Sequence, residues 1–212
     1  WLTICTKKMR SIKIEPISGI IEADCGVMLP TLSNILAKNG LEGGEWTVGI
    51  PGTVGGAIYM NAGSGKVSLA NNLLSVQVID TKTLKKYEIQ KKELAFDYRF
   101  SPFQKNNFII ISAKLQFKNG GNIEKLLETT KNNLKRKTET QPYHLPSFGS
   151  VFKNPQNHYA GQLIDELGLK GFKIGGAEIS AMHANFIVNN SSASSKEIYE
   201  LITLIQQKVL QK

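Results

Sequence analysis

Residues 49–63, GIPGTVGGAIYMNAG, combine five glycines, two alanines and a proline, and they contain no His, Cys, Asp, Glu, Lys or Arg. Glycine is used where the backbone turns with positive φ or where another group approaches the main chain closely. Successive N–H groups with no side chains between them form nests that bind anions, phosphates above all. The familiar signatures GxxxxGK[ST] and GxGxxG with a later acidic residue are absent here. Two interpretations therefore stay open: a loop that binds a phosphate-bearing ligand, and a tight turn packed between two elements.

Three further polar or charged residues, in short motifs, each allow a structural interpretation beside a functional one. Arg99 in FDYRFS offers a planar, permanently charged fork that can hold a carboxylate at two points, although an arginine beside two aromatics is more often structural. Ser150 in FGSVFKNP has a hydroxyl, yet a serine in a glycine turn is usually only part of the turn. Lys170 in LGLKG either neutralises a ligand charge or supports the last turn of a helix.

The histidines and cysteines do not predict a metal site. His144, His158 and His183 are widely spaced, and the two cysteines form no CxxC pattern. We assign no chemistry to His183. Cys5 and Cys25 are expected to be free thiols, as is usual for two cysteines in a cytosolic chain of this length.

The charge balance favours small anionic ligands. The chain of 212 residues carries a net charge of +9, from 26 Lys and Arg against 17 Asp and Glu. The basic clusters are scattered and lack interleaved aromatic residues, so no nucleic-acid surface is predicted. No apolar run approaches the roughly 18 residues that span a bilayer, so no membrane segment is predicted. WLTICTKKMR at the start also lacks the order of a secretory signal.

The pattern of elements predicts an α+β protein of two domains. Alternating residues in 11–27 and the apolar runs 73–80 and 108–117 predict strands, and 81–90 a returning hairpin. A short helix is predicted at 31–39 and a polar, basic helix at 122–138. A domain boundary is predicted near residue 139. Beyond it we expect a helix at 160–167, a strand at 184–189, and an amphipathic helix capped by Ser194 and Glu197.

The whole phrase GLEGGEWTVGIPGTVGGAIYMNAG resembles the flavin-binding loop of the MurB family, the UDP-N-acetylenolpyruvoylglucosamine reductases. Three further phrases are similar to that family in the same order: YRFSPFQ (98–104), GSVFKNP (149–155) and AGQLIDELGLKGFKIGGAEISAMHANFIVN (160–189). The resemblance covers nearly the whole chain. The short spacing between Arg99 and Ser150 is similar to that of the type II branch.

The resemblance implies a fold and a cofactor. It implies a partial FAD-binding domain of the PCMH/VAO type at 1–139, followed by a smaller α+β substrate domain at 140–212. It implies that the loop lies along FAD with its amides facing the pyrophosphate. The cofactor-binding positions carried over are Gly49, Ile50, Pro51, Gly52, Gly55, Gly56, Asn61 and Ala62.

The resemblance also implies a reaction. NADPH would supply hydride through FAD to C3 of UDP-N-acetylglucosamine enolpyruvate, giving UDP-N-acetylmuramate for peptidoglycan synthesis. Arg99 would stabilise the carboxylate of the enolate-like intermediate, and Ser150 would protonate C2. The implied substrate-binding residues are Tyr98, Lys153, Asn154 and Lys170. Phe148 departs from the small residue that the family has there, which puts the loop geometry around Ser150 in question.

The resemblance implies a chain truncated at both ends. The family's third catalytic group, a glutamate after the final helix, and the first part of the FAD-binding domain have no counterpart in 1–212, so loss of tight FAD binding or of turnover is one open outcome. The expected setting is the bacterial cytoplasm, as a monomer. The alternatives are another FAD-linked oxidoreductase of the same fold and a non-catalytic binding module.

Overall fold

A computed structural model describes residues 3–211 of the chain. The chain divides into two compact units, Trp1–Leu134 and Lys135–Lys212. The division lies inside helix α3 (Ile123–Thr140), whereas the sequence placed the boundary near its end. Strands and helices are mixed in both units, and the predicted α+β class is confirmed.

A five-stranded antiparallel sheet forms the core of the first unit. Its strand order is β1-β2-β7-β5-β6, and a separate two-stranded ribbon joins β3 to β4. The strands are β1 (Ile12–Glu15), β2 (Ile20–Asp24), β3 (Gly63–Ser64), β4 (Val67–Ser68), β5 (Leu73–Asp80), β6 (Lys86–Gln90) and β7 (Phe108–Gln116). The strands predicted from 11–27, 73–80, 81–90 and 108–117 are thereby confirmed.

Two helices pack beside this sheet. Helix α1 (Leu29–Lys38) buries Leu29, Leu32 and Leu36 and ends just before Gly40, whose φ of 66° suits the glycine. It begins two residues earlier than predicted, because Pro30 fits the first turn of a helix. Helix α2 (Val54–Tyr59) follows the glycine-rich loop and buries Val54 and Ile58 in the same core.

The second unit is a four-stranded antiparallel sheet with helices. Its strand order is β8-β11-β10-β9. Its elements after α3 are β8 (Ser147–Ser150), α4 (Ala160–Glu166), β9 (Lys173–Ile174), β10 (Ala177–Ile179), β11 (Phe186–Asn189) and α5 (Ser195–Leu210). Leu201 and Ile205 of α5 join Ile164, Ile179 and Ile187 in one buried apolar cluster.

The predicted cap of the last helix is confirmed. Ser194 Oγ accepts from the Glu197 amide at 3.3 Å, and the Glu197 carboxylate accepts from the Ser194 amide at 2.8 Å. Both cysteines are free, as expected: Cys5 is exposed and Cys25 is buried. Within residues 3–211, no helix is long and apolar enough to cross a membrane, and no three His, Cys, Asp or Glu side chains cluster as a metal site would require.

Candidate active site

The glycine-rich loop has few free amides. Ile50 follows a short helical turn (Glu45–Gly49) in an extended conformation, and α2 begins after Thr53. Four amides in this stretch donate to acceptors within the protein at N···O distances of 2.8–3.3 Å: those of Ile50, Val54, Gly55 and Gly56. Pro51 has no N–H. Among residues 3–211 the amides of Gly52 and Thr53 have no acceptor, so the nest available to an anion is these two groups and not a continuous run.

Different physical constraints act on the loop glycines Gly55 and Gly52. A Cβ on Gly55 would lie 2.8 Å from the Cβ of Cys25, closer than packed side chains allow, so Gly55 lets α2 pack against the end of β2. A Cβ on Gly52 would meet nothing within 4 Å among the described residues, and its φ is not in the left-handed region. Packing therefore explains Gly55, whereas Gly52 borders open space.

This part of the first unit has two features that fit a bound flavin nucleotide. A cavity of about 270 Å³ is lined by Thr53, Gly55, Gly56 and Tyr59, among others. Beside the same helix, Asn61 is buried, and its Oδ1 has no hydrogen-bond partner among the described residues although its Nδ2 donates to Asp97 O at 2.8 Å. A buried acceptor of this kind is costly unless a ligand or water donates to it.

The structure joins Arg99 to this loop. Arg99 lies in a tight turn with φ of 53°, and its Nη2 donates to Gly63 O at 2.9 Å. Its Nη1 is 3.5 Å from Asn61 O, and its Cζ is 5.1 Å from the Tyr98 ring centroid. A guanidinium has five N–H donors, so several remain for a carboxylate. Of the predicted residues, the first unit thus brings Arg99 and Tyr98 next to Asn61 and Ala62.

Sequence reasoning missed two residues that hold the arginine turn. Ser101 Oγ donates to Tyr59 O at 2.7 Å, and Gln104 Nε2 donates both to Tyr59 O at 3.0 Å and to Arg99 O at 3.2 Å. These bonds fix the turn against the end of α2. Both residues stand in the phrase YRFSPFQ, but Tyr59, to which both bind, lies more than 40 residues away in the chain.

The second unit gathers three predicted residues around one cavity. Ser150, Asn154 and Lys170 line a cavity of about 420 Å³. Lys153 lines a different, mainly apolar cavity of about 470 Å³ between α4 and α5. The three predicted substrate-binding residues of this unit are therefore divided between two cavities, with Asn154 and Lys170 at one and Lys153 at the other.

Ser150 is the last residue of β8 and pairs with Phe186 of β11. Gly149 before it has a φ of 85°, which a residue with a side chain rarely adopts. The Phe148 side chain is 58% exposed and so does not fill the space around the serine.

Lys170 forms an ion pair with Asp165. Its Nζ lies 2.6 Å from Asp165 Oδ2, and Asp165 lines the same cavity. The pair is partly exposed, so it contributes little to stability by itself. Its physical effect is to hold the lysine ammonium at the cavity wall.

His183, to which the sequence assigned no chemistry, also lines this cavity. Its Nδ1 accepts from the Asn185 amide at 3.2 Å, and its ring meets Phe186 edge-on at a centroid distance of 4.9 Å. Burial, followed by the positive charges of Lys170 and Lys137, holds the pKa of His183 below its ordinary value. The imidazole is therefore neutral at pH 7, with its proton on Nε2 because Nδ1 accepts.

Comparison with known proteins identifies the family. Residues 2–83 match the family described as FAD binding domain, and residues 141–212 match UDP-N-acetylenolpyruvoylglucosamine reductase, C-terminal domain. A UDP-N-acetylenolpyruvoylglucosamine reductase of Prochlorococcus marinus subsp. pastoris is 78% identical over 211 residues, covering 100% of this chain and 71% of the relative. One from strain MIT 9313 of that species is 48% identical, covering 98% of this chain and 68% of the relative.

A solved structure agrees with these sequences. The crystal structure of UDP-N-acetylenolpyruvylglucosamine reductase (MurB) from Thermus caldophilus is similar at a TM-score of 0.80 and 37% identity, covering 88% of this chain and 68% of that one. High identity over almost the entire chain, two matching domain families and a shared fold agree with one another. The chain belongs to the UDP-N-acetylenolpyruvoylglucosamine reductase family.

Proposed function

We propose that this chain reduces UDP-N-acetylglucosamine enolpyruvate to UDP-N-acetylmuramate with NADPH as the hydride donor, in the synthesis of peptidoglycan precursors. The observation that carries the proposal is the hydrogen bonding of the Arg99 guanidinium to the carbonyls of Asn61 and Gly63. These hydrogen bonds hold the Arg99 cation beside the loop that is expected to bind the cofactor. An enzyme that reduces an enolpyruvyl group needs a fixed cation there to stabilise the substrate carboxylate.

The first unit is proposed to hold FAD. When bound there, FAD would supply hydride transfer from NADPH to C3 of the enolpyruvyl group. The backbone amides of Gly52 and Thr53 would donate hydrogen bonds to FAD. The free Oδ1 of Asn61 would accept one from it. The proposed cofactor residues are Gly49, Ile50, Pro51, Gly52, Gly55, Gly56, Asn61 and Ala62, with Gly55 acting through the packing of α2.

Arg99 is proposed to bind the carboxylate on which negative charge accumulates during reduction. Its charge is permanent and its fork can contact both carboxylate oxygens. Tyr98, whose ring lies beside the guanidinium, would contact the same ligand. Two donors already fixed on backbone carbonyls keep the guanidinium from moving with the substrate.

Ser150 is proposed to deliver the proton to C2 of the substrate. It lines the cavity that also contains Asn154 and Lys170, and the Lys170 ammonium suits the diphosphate of the nucleotide. Lys153 borders the neighbouring cavity, so we propose for it a contact at the periphery of the substrate and not in this pocket.

The proposed setting is the cytoplasm of a bacterium, with the chain acting as a monomer in cell-wall biogenesis, and so in cell shape and division. Two free cysteines, one of them exposed, support a reducing compartment.

The test is to load the purified chain with FAD under anaerobic conditions and to follow the visible absorbance of the flavin. NADPH is added first and the enolpyruvyl sugar nucleotide second. The proposal expects bleaching by NADPH and recovery of absorbance with the substrate, together with formation of UDP-N-acetylmuramate. Bleaching without recovery would point to a different FAD-linked oxidoreductase or to a broken second half-reaction, and absence of flavin binding would point to a binding module.

A further inference from the structure

We propose that Asn185 is the residue that positions Ser150, acting through the backbone of Val151 and Phe152. The inference rests on the proposed function, because it takes Ser150 as the proton donor. Asn185 has no place in the chemistry predicted from the sequence. It lines the same cavity as Ser150, but the proposed role acts through the backbone and not through contact with the substrate.

Three hydrogen bonds connect Asn185 to the two residues that follow Ser150. Asn185 Oδ1 accepts from the Phe152 amide at 2.9 Å, and Asn185 Nδ2 donates to Phe152 O at 2.9 Å. The backbone oxygen of Asn185 accepts from the Val151 amide at 2.9 Å. Asn185 is only 4% exposed, so water does not compete effectively for these bonds.

The need for such a clamp follows from where β8 ends. Its last ladder pair is Ser150 with Phe186, and the register between β8 and β11 is irregular there. On the other side of the serine, Gly149 has the φ of 85° that only glycine adopts readily, so this residue restrains the chain weakly. Beyond this pair, the side-chain amide of Asn185 binds both the N–H and the carbonyl of Phe152. These bonds fix the chain that follows Ser150.

Asn185 is itself held in place by the cavity wall. The backbone N–H of Asn185 donates to His183 Nδ1 at 3.2 Å. A Cβ on Gly161 of α4 would lie 3.1 Å from His183 Cε1 and 3.6 Å from Asn185 Cβ, so α4 closes tightly over both residues. The clamp therefore has little freedom of its own, as a positioning residue requires.

The chemistry of the side chain explains why an asparagine is suited to this place. Leucine has a similar shape but would leave the amide and the carbonyl of Phe152 unpaired. Aspartate keeps the acceptor for the Phe152 amide but loses the donor for its carbonyl. A misplacement of about 1 Å can cost roughly 100-fold in rate. We therefore expect the proton-transfer half-reaction to slow by about 100-fold in Asn185→Leu, and by less in Asn185→Asp.

The experiment measures reoxidation of the FAD-loaded chain. The flavin is reduced with dithionite, which makes the measurement independent of NADPH, and it is mixed anaerobically with saturating enolpyruvyl substrate. Asn185→Leu and Asn185→Asp should lower the limiting rate without changing the substrate concentration that gives half of it. Asn189→Leu is the matched control: Asn189 lies at the other end of β11, where its Oδ1 accepts from Ala193 N at 2.9 Å, and the rate should stay that of the parent.

A double-mutant cycle separates positioning from general damage. If Asn185 acts through Ser150, Asn185→Leu should cause no further loss in the Ser150→Ala background. Additive losses, or a parental rate in Asn185→Leu, would overturn the inference. A parental rate in Ser150→Ala alone would instead overturn the proposed role of the serine.

Hydrogen exchange gives a readout that does not depend on FAD. Asn185→Leu should speed exchange of the Phe152 amide, whereas Ser150→Ala and Asn189→Leu should leave it protected. Should Asn185→Leu fail to fold, Asn185→Ala, which removes the same two side-chain bonds to Phe152, carries both the exchange measurement and the cycle. Unchanged protection of the Phe152 amide in folded Asn185→Leu or Asn185→Ala would contradict the clamp.

Discussion

At Arg99 a strained backbone and a fixed side chain occur together. The φ of 53° is costly for a residue with a side chain and is held by the turn from Asp97 to Phe100, whose ends bond to each other at 3.0 and 3.2 Å. The guanidinium is fixed by the carbonyls of Gly63 and Asn61. Lysine has one point charge and no planar fork, so it cannot reproduce this arrangement and also hold a carboxylate.

We expect Arg99→Lys to slow reoxidation of reduced flavin by the enolpyruvyl substrate by about 100-fold, as for other lost donors to a developing anion. FAD affinity should change little. Lys105→Gln is the control, because it removes a cation 5.3 Å from the neighbouring Phe100 ring, outside the proposed site. Stopped-flow absorbance measures both variants, and a parental rate in Arg99→Lys would remove the arginine from the mechanism.

At His183 the lowered pKa has a consequence for stability. Since the folded-state pKa lies below the ordinary 6.5, the unfolded chain binds more protons between the two values. The free energy of unfolding should therefore fall as the pH drops from 7 toward 5. His183→Gln should reduce this pH dependence, as measured by urea unfolding at both ends of the range. An NMR titration that placed the His183 pKa above 6.5 would contradict the structure.

At the scale of elements, the glycine-rich loop and α2 give a matched pair of substitutions. Gly55→Ala should lower the free energy of unfolding by about 1–3 kcal/mol, because its Cβ would press on Cys25. Gly52→Ala should leave stability nearly unchanged, since its Cβ enters open space, but weaken FAD binding by about tenfold, or about 1.4 kcal/mol. Thermal unfolding without cofactor and flavin titration measure the two effects. A Gly52→Ala variant that binds FAD normally would show that this space is not used.

Near the start of helix α5, the Glu197 carboxylate accepts hydrogen bonds from two backbone amides. Glu197 accepts from the Ser194 amide at 2.8 Å and from the Gly176 amide at 3.3 Å, and these bonds hold its pKa below the ordinary 4.5. The stabilisation is thus present above pH 4.5 and is lost as the pH falls through the folded-state pKa. Glu197→Ala should lower stability at pH 7 and matter less at pH 3. Glu200→Ala, which removes only a 3.9 Å exposed ion pair with Lys196, should have a small effect at either pH.

Local patterns explain which elements the sequence predicts well. Strand β5 has the bounds predicted for it, and the α5 cap was readable from Ser194 and Glu197, because alternation and capping involve near neighbours in the chain. The two-residue strand β9 and the free Oδ1 of Asn61 were not predictable in this way. Strand β9 is too short for an alternating pattern to mark it. The Asn61 side chain bonds to Asp97, which lies 36 positions later in the sequence. A similar distance hid Asn185, whose side chain bonds to Phe152, 33 positions earlier.

At the scale of the whole molecule, the net charge of +9 is dispersed and not gathered around one ligand. Its basic residues are largely exposed or paired, as in Lys114–Glu88, Lys118–Glu42 and Lys170–Asp165. The proposed FAD loop has no charged side chain. Salt should therefore weaken the binding of the anionic ligands only moderately, because the proposed sites offer few cations to each of them.

We expect the apparent KM for the sugar nucleotide to rise by less than about tenfold between 50 and 200 mM salt, whereas a protein with 6–10 phosphate contacts loses about 10³–10⁵ in affinity over that range. FAD affinity should change less still. Lys170→Gln should raise KM at low salt and flatten its salt dependence, because the nearest proposed cation is gone. A duplex DNA titration over the same salts is the comparison. DNA binding with a steep salt slope, together with no response to the substrate, would favour the non-catalytic binding module over the reductase.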